Sequence, residues 1–355
     1  MIVSGRLVQY ELPFRSAIAA GDGGHASRSG LLLALDDDEG RTGWGEAAPF
    51  PGWSLETLPQ VELALRALID SLAGRPRPPG SLGPTIMAWA SRLPTAAAAL
   101  DLAIVDLMAQ RSSQPVASFL ALPGVPAVAV PVNALIAGDT PDAVAAAASD
   151  AAAAGFGVFK LKIGQVSLVA DVARVAALRG SIGPDAKLRL DAGAVWDVAT
   201  ATEALKLLAP YEVEYIEDPV ADIDDLAQVA AGAPIPIGVD GLLARSADPL
   251  GVVAAAVADV FVLKPAAMGG LRISAGVAAA VIDGGGEVVV TSFLDSAIGI
   301  TGAVHLAAAL GGAKACGLAT SYLLAENVAE PPPVRHGIIE VPQRPGLGVA
   351  PAPVL

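Results

Sequence analysis

Six side chains have the types and spacing for proton chemistry on an organic acid: Lys160 and Lys162, then Asp191, Glu217, Asp240 and Lys264, each at the end of an apolar, strand-like run. In that order, three carboxylates stand between two sets of amines. Neighbouring strands lie about 4.8 Å apart, so the acids would face one another across a short arc. Two unit charges about 5 Å apart repel by roughly 3 kcal/mol at an effective dielectric of ~20, and three ionised acids therefore call for a counter-cation. Oxygen donors without His or Cys favour a hard ion, Mg²⁺ with Mn²⁺ as the alternative, completed by water and substrate oxygens. Any one of these acids alone would serve as well as a helix N-cap. The ordered three point to a metal.

Lys160 and Lys162 are two residues apart on one run and project from the same face, their roots about 6.6 Å apart. Their mutual repulsion is expected to lower one lysine pKa, and a divalent cation adds to that, while the carboxylates oppose it. A lysine so placed suits a neutral base. Lys264 arrives from the other side. A metal with amine bases fits removal of a weakly acidic proton next to a carboxylate, with the ion neutralising the charge that develops. The alternative is that each lysine is a structural ion-pair partner.

These residues need a scaffold that brings strand ends together. From about residue 128, apolar runs at 130–136, 158–163, 188–192, 213–217, 235–240, 260–264, 288–291 and 315–318 alternate with Ala-rich helical stretches. The spacing fits βα units, and eight strands predict a closed parallel barrel with its site at the strands' C-terminal ends. Thr140, Pro141 and Asp142 open the first barrel helix and Gly155 closes it, while Gly183, Pro184 and Asp185 break the second. Core-facing positions earlier in the strands are expected to be apolar. Ahead of the barrel, 2–13 and 30–36 read as antiparallel strands joined by a polar loop, 37–43 as a turn, and 55–72 and 95–110 as helices. We therefore expect an α+β capping domain over residues 1–127, completed by the tail 322–355, and a (β/α)7β TIM-like catalytic barrel over 128–321.

The bulk numbers agree with a large soluble enzyme. Hydrophobic residues make up 54% of 355, yet no run of about 18 uninterrupted apolar residues appears, so no membrane span is expected. The N-terminus interleaves Arg6, Gln9 and Glu11 with apolar residues, which reads as a strand and not a signal peptide. The single cysteine, Cys316, excludes an intrachain disulfide and a zinc cluster, and the cytoplasm fits. A net charge of −14 without a basic block argues against nucleic acid. Monomer and homo-oligomer stay open.

The segments Lys160-Leu161-Lys162, Asp191-Ala192-Gly193, Ile216-Glu217-Asp218-Pro219, Val239-Asp240 and Leu263-Lys264-Pro265 resemble the barrel signatures of the enolase superfamily, muconate-lactonizing subgroup. Residues 43–57, above all the Pro-Gly-aromatic-Ser-x-Glu-Thr portion, resemble the capping segment of o-succinylbenzoate synthases, and 291–299 resembles their seventh-strand turn. The resemblance implies a Mg²⁺-dependent lyase of menaquinone biosynthesis that makes o-succinylbenzoate by syn-dehydration of 2-succinyl-6-hydroxy-2,4-cyclohexadiene-1-carboxylate. It implies Asp191, Glu217 and Asp240 as metal ligands and Lys162 as the base that returns its proton to the departing hydroxide. Lys264 would steady the enolate as a cation, and Lys160 would orient substrate and lower the pKa of Lys162. Gly193 stands where the family often has Asn and Gly241-Leu242 where it often has Glu-Ser, which would thin the groups that orient the acids; Asp295 stands where Glu is commoner and is a candidate for supporting them.

Arg28, in a glycine-rich loop over 21–30, is a candidate to close over the succinyl carboxylate, and Ser292 and Asp295 are further substrate-side candidates. A solvated loop charge is the plain alternative for Arg28. Trp44, Phe50 and Trp53 would shape the pocket or pack the cap on the barrel. His25, His305 and His336 have no ligating spacing, and His305 reads as structural. Gly269 and Gly270 would let backbone approach a ligand or make a tight turn. An N-acylamino acid racemase, dipeptide epimerase or cycloisomerase would use the same lysines. Further from this chemistry stand a non-catalytic ligand-binding barrel and a Schiff-base lysine enzyme.

Overall fold

The computed structural model describes residues 1–20, 23–121, 124–312 and 314–352. Positions 21 and 22 of the glycine-rich segment, and 353–355 of the tail, lie outside them. The chain opens with three antiparallel strands, β1 (Ile2–Ala20), β2 (Gly23–Asp37) and β3 (Thr42–Ala47), in spatial order β1-β2-β3. Helices α1 (Leu58–Leu72), α2 (Gly83–Ala90), α3 (Pro94–Arg111) and α4 (Val116–Leu120) follow. Sequence pattern alone ends the first strand at 13 and begins the second at 30. In the structure both continue through the supposed loop, with a register irregularity between Pro13 and Ile18, so Arg28 sits on a strand paired with Leu12.

α3 shows no single apolar face because nearly the whole helix is buried, Asp101 and Asp106 included. Its approach to β3 depends on two glycines. A Cβ at Gly43 would stand 2.2 Å from the Ala103 carbonyl oxygen, and one at Gly45 only 1.9 Å from that of Ala99. No other residue fits there without moving the helix off the sheet.

The barrel begins after β4 (Ala129–Pro131). It comprises β5 (Ala134–Ile136), α5 (Pro141–Ala153), β6 (Val158–Lys162), α6 (Leu168–Ile182), β7 (Lys187–Asp191), α7 (Val198–Leu208), β8 (Val213–Glu217), α8 (Ile223–Ala230) and β9 (Ile237–Val239), then two short helices α9 (Gly241–Ala244) and α10 (Pro249–Ala254). β10 (Val260–Leu263), α11 (Leu271–Asp283), β11 (Glu287–Val290) and α12 (Ala297–Ala309) complete it. The seven strands from β5 to β11 lie in sequence order, parallel throughout. Closure comes from the predicted eighth run: Gly317 pairs with Thr291 after β11, and Cys316 pairs with Val132 before β5. The run at 130–136 is split at residues 132–133, and Pro131, which has no N–H to give a central ladder, is the last residue of β4.

After α12 the tail forms a hairpin, β12 (Val334–Arg335) and β13 (Ile338–Glu340), that pairs with β4. It also reaches the N-terminal elements, where Leu324 bridges Phe14, Gly346 bridges Pro115 and the Leu347 N–H donates to Asp106. The interior of the barrel is filled by Tyr215, Val260, Val262 and Val289. Arg189 is there too, fully buried, its Nε donating to Glu214 and its Nη1 to the Ala315 carbonyl at 2.6 Å, with its plane over Tyr215. The expectation of apolar interior positions is corrected at this residue: a layer of charge lies beneath the strand-end site. Among the described residues no helix is long and apolar enough to cross a membrane.

Candidate active site

Strand register sets the site. Lys162 on β6 pairs with Asp191 on β7, which pairs with Glu217 on β8. Glu217 pairs with Gly238, so Asp240 stands two residues beyond it at the end of β9, and Lys264 follows β10 directly. All six predicted side chains therefore gather at the C-terminal ends of consecutive strands, with Lys162 and Lys264 on opposite flanks of the acids.

Two lysines are bonded into the acids. Lys160 Nζ donates to Glu217 Oε2 and lies 3.3 Å from Asp191 Oδ2, while Lys264 Nζ donates to Asp240 Oδ2 at 2.6 Å. Burial works to lower the Lys160 pKa, but Glu217, Asp191 and Asp240 outweigh it and hold that amine well above its ordinary value. The expected fall through lysine–lysine repulsion does not occur at Lys160, because its nearest charges are carboxylates. Burial pushes Glu217 up to about 7; Lys160 opposes the rise, and Asp191 and Asp240 add to it. Asp191 goes the other way, since Lys160, Lys162 and Lys264 together overcome its burial.

Backbone amides at Gly193 and Gly241 bond acids at this site. The Gly193 N–H donates to Asp191 Oδ1 at 2.9 Å. Gly193 adopts φ +59, a conformation that strains any L side chain, and lies beside the Lys162 side chain. Asp218 accepts the N–H groups of Asp240 at 2.9 Å and Gly241 at 2.6 Å, fixing the backbone that carries the third acid. The sequence motif contained Asp218 without disclosing this positioning role.

Among the described residues no three acidic, His or Cys side chains form a ready-made metal cage, because ammonium groups hold the facing oxygens. The donors nevertheless fit a hard cation. They are all oxygens, three acids crowd one arc, and Asp240 Oδ1 is buried without a hydrogen-bond partner.

Substrate-side candidates fare differently. Arg28 is 1% exposed and spends its guanidinium on four backbone carbonyls: Leu294 (3.0 Å), Pro49 (2.9 Å), Phe293 (3.1 Å) and Ala48. Buried and bonded through all three guanidinium nitrogens, it stands at the cap–barrel seam and is not a solvated loop charge. Ser292 shares a 2.7 Å hydrogen bond with Thr320, and Asp295, buried, accepts the Phe293 N–H at 2.8 Å. Burial, with Glu46 adding to it, raises Asp295 to about 7.

Trp53 is the aromatic at the site, its ring 5.0 Å from Lys264 Nζ and 4.6 Å from the Phe293 ring. Phe50 packs on His25, and Trp44 carries Arg6 on its face. His305 is structural as expected: its Nδ1 accepts the Ala117 N–H, its Nε2 bonds the Leu347 carbonyl, and burial lowers it to about 4. Gly270 makes room for Asp101 of α3, whose Cβ would lie 2.5 Å from an added methyl, so that turn serves packing of α11 on the cap. The largest omission is Glu46, whose partners on α12 lie about 250 residues away.

An antiparallel cap over a (β/α)7β barrel, with acids and lysines gathered at the strand ends, defines the class. Residues 143–354 match the family described as enolase C-terminal domain-like, and residues 3–85 match the MenC N-terminal domain. An o-succinylbenzoate synthase of Thermobifida fusca (strain YX) is 40% identical over 217 residues, 60% of this chain, and the match spans 66% of that synthase. A hydrophobic dipeptide epimerase of Enterococcus faecalis (strain ATCC 700802 / V583) is 30% identical over 91% of this chain and 92% of its own length. The crystal structure of a dipeptide epimerase from Enterococcus faecalis V583, complexed with Mg and L-Leu-L-Tyr, superposes with TM-score 0.87 at 27% identity over 98% of this chain and 99% of that one. The chain belongs to the enolase superfamily.

Proposed function

We propose that this chain is an o-succinylbenzoate synthase, eliminating water from 2-succinyl-6-hydroxy-2,4-cyclohexadiene-1-carboxylate in menaquinone biosynthesis in the cytoplasm. The chemistry rests on Lys162 and Lys264 flanking an arc of three acids at the barrel mouth, and one observation carries the choice of substrate, the match of residues 3–85 to the MenC N-terminal domain. Asp191, Glu217 and Asp240 would hold Mg²⁺, with Mn²⁺ as the alternative. When bound, the ion supplies positive charge beside the substrate carboxylate, where negative charge grows as the α-proton leaves.

Lys162 Nζ takes the proton α to the carboxylate and leaves an enolate, whose electron pair then becomes the new C=C bond as the C–OH bond breaks. The same ammonium returns its proton to the departing hydroxide, which leaves as water. Lys264, from the far flank, stays a cation and stabilises the enolate. Lys160 orients the acids through Glu217 and Asp191. Aromatisation drives the elimination, so positioning and charge suffice.

The MenC N-terminal match and the synthase relative favour this substrate. The dipeptide epimerase relative, which matches nearly the whole chain, favours a second reading in which the two lysines exchange a proton on opposite faces of an α-carbon. Purified protein assayed with both substrate classes and Mg²⁺ separates them. Rapid dehydration with negligible epimerisation supports the synthase, and the reverse overturns it.

A further inference from the structure

We propose that Glu46 and Arg28 are positioning residues, a buried two-point latch through which the N-terminal sheet sets the turn between β11 and α12 and so holds Trp53 over Lys264. This goes beyond the substrate question, since both candidate reactions use Lys264.

Glu46, from β3, is 4% exposed and accepts four hydrogen bonds. Oε1 takes the Tyr10 hydroxyl and the Ser296 N–H (2.8 Å); Oε2 takes the Ser296 hydroxyl and the Gly299 N–H (2.8 Å). A carboxylate from the cap thus sits on the first turn of a barrel helix, where unpaired N–H groups and the helix dipole favour an anion. Gly299 permits the approach, since a Cβ there would stand 3.0 Å from Glu46 Oε2. Arg28, from β2, ties the Ala48 and Pro49 carbonyls of the cap to the Phe293 and Leu294 carbonyls of the turn. Its planar fork suits several fixed acceptors at once.

The turn needs this restraint. Leu294 is held at φ +56, a conformation that L side chains rarely adopt without support from their surroundings. Its neighbour Phe293 packs against Trp53 with the two rings tilted by 55°, and the Lys264 ammonium lies over the Trp53 π face. Neither latch residue touches the reacting atoms, so their effect passes through Trp53.

A double-mutant cycle tests this with a substrate that the wild type turns over. Glu46→Gln cannot accept all four donors. It should keep the circular dichroism spectrum and, within about twofold, the Mg²⁺ half-saturation, while lowering kcat about tenfold. Trp53→Leu should lower kcat by a similar factor, and the double variant should stay near tenfold, because contacts in one chain of action are non-additive. A loss near a hundredfold in the double variant, or wild-type kcat in Glu46→Gln, overturns the latch. If Glu46→Gln does not fold, Ser296→Ala, which removes one of the four donors, takes its place in the cycle with the same two outcomes on a smaller scale.

Discussion

The barrel mouth and the cap–barrel seam are both buried clusters of charge, and they differ in completeness. At the seam, Glu46 accepts four donors and Arg28 donates to four carbonyls. At the mouth, Asp240 keeps a buried oxygen with no donor, Glu217 is pushed up to about 7 by burial, opposed by Lys160 but reinforced by its acid neighbours, and Lys162 remains exposed. Satisfied charge specifies how two domains dock, whereas unsatisfied charge is where a cation and a substrate have something to gain. The difference separates Arg28, four of whose five N–H groups bond backbone carbonyls, from Lys264, the proposed substrate-side cation.

The comparison breaks most readily at Lys264. Lys264→Ala should lower kcat for dehydration by about 10²- to 10³-fold, as loss of a preorganised charge does, with thermal stability changed far less. Steady-state kinetics beside a melting curve checks both. Next in size is Asp218→Asn, which leaves the three acids in place but weakens the hold on the Asp240 backbone. Mg²⁺ half-saturation should rise by about 10- to 100-fold, read by titrating the chelated enzyme, and chelation alone should abolish turnover reversibly.

At the seam the expected effect is a pH dependence. Asp295 binds its proton up to about pH 7 in the fold, against an ordinary value of 3.8. Between those values the folded state holds more protons than the unfolded chain, so stability falls as pH rises through this window and is recovered on acidification. Asp218, also raised to about 7, and Asp106, raised to about 6, act with the same sign. Asp295→Asn should therefore flatten, without abolishing, the rise in melting temperature between pH 8 and pH 5 in metal-free buffer. Smallest is a pair in neither region. Arg66→Ala removes an exposed helix-surface bond to Glu62 and should cost about 0.3 kcal/mol in a denaturant titration.

The mouth was legible in sequence because each chemical residue ends a strand whose neighbours are apolar, and register does the rest. Glu217 falls at the last position of a strand whose bounds match the pattern residue for residue. The seam was not legible, because its partners are far apart in sequence and most of them are backbone groups, the Ser296 and Gly299 N–H groups and four carbonyls, that carry no side-chain signature. Arg28 looked mobile because Gly23, Gly24 and serines interrupt the apolar alternation, yet pairing with β1 makes that stretch a strand. Arg189 was hidden for a different reason: a charge in an apolar run reads as an outward position until register turns it inward beside Lys160 and Tyr215.

Lys162 is the proposed proton carrier at a mouth built for a cation, and turnover should depend on it above every other amine. The most direct measurement is formation of o-succinylbenzoate by Lys162→Ala and wild type under saturating substrate and Mg²⁺, with folding verified for both. A loss of about 10³-fold in kcat is predicted, the size expected for removing a general base. A folded Lys162→Ala protein that dehydrates the substrate at the wild-type rate would contradict it.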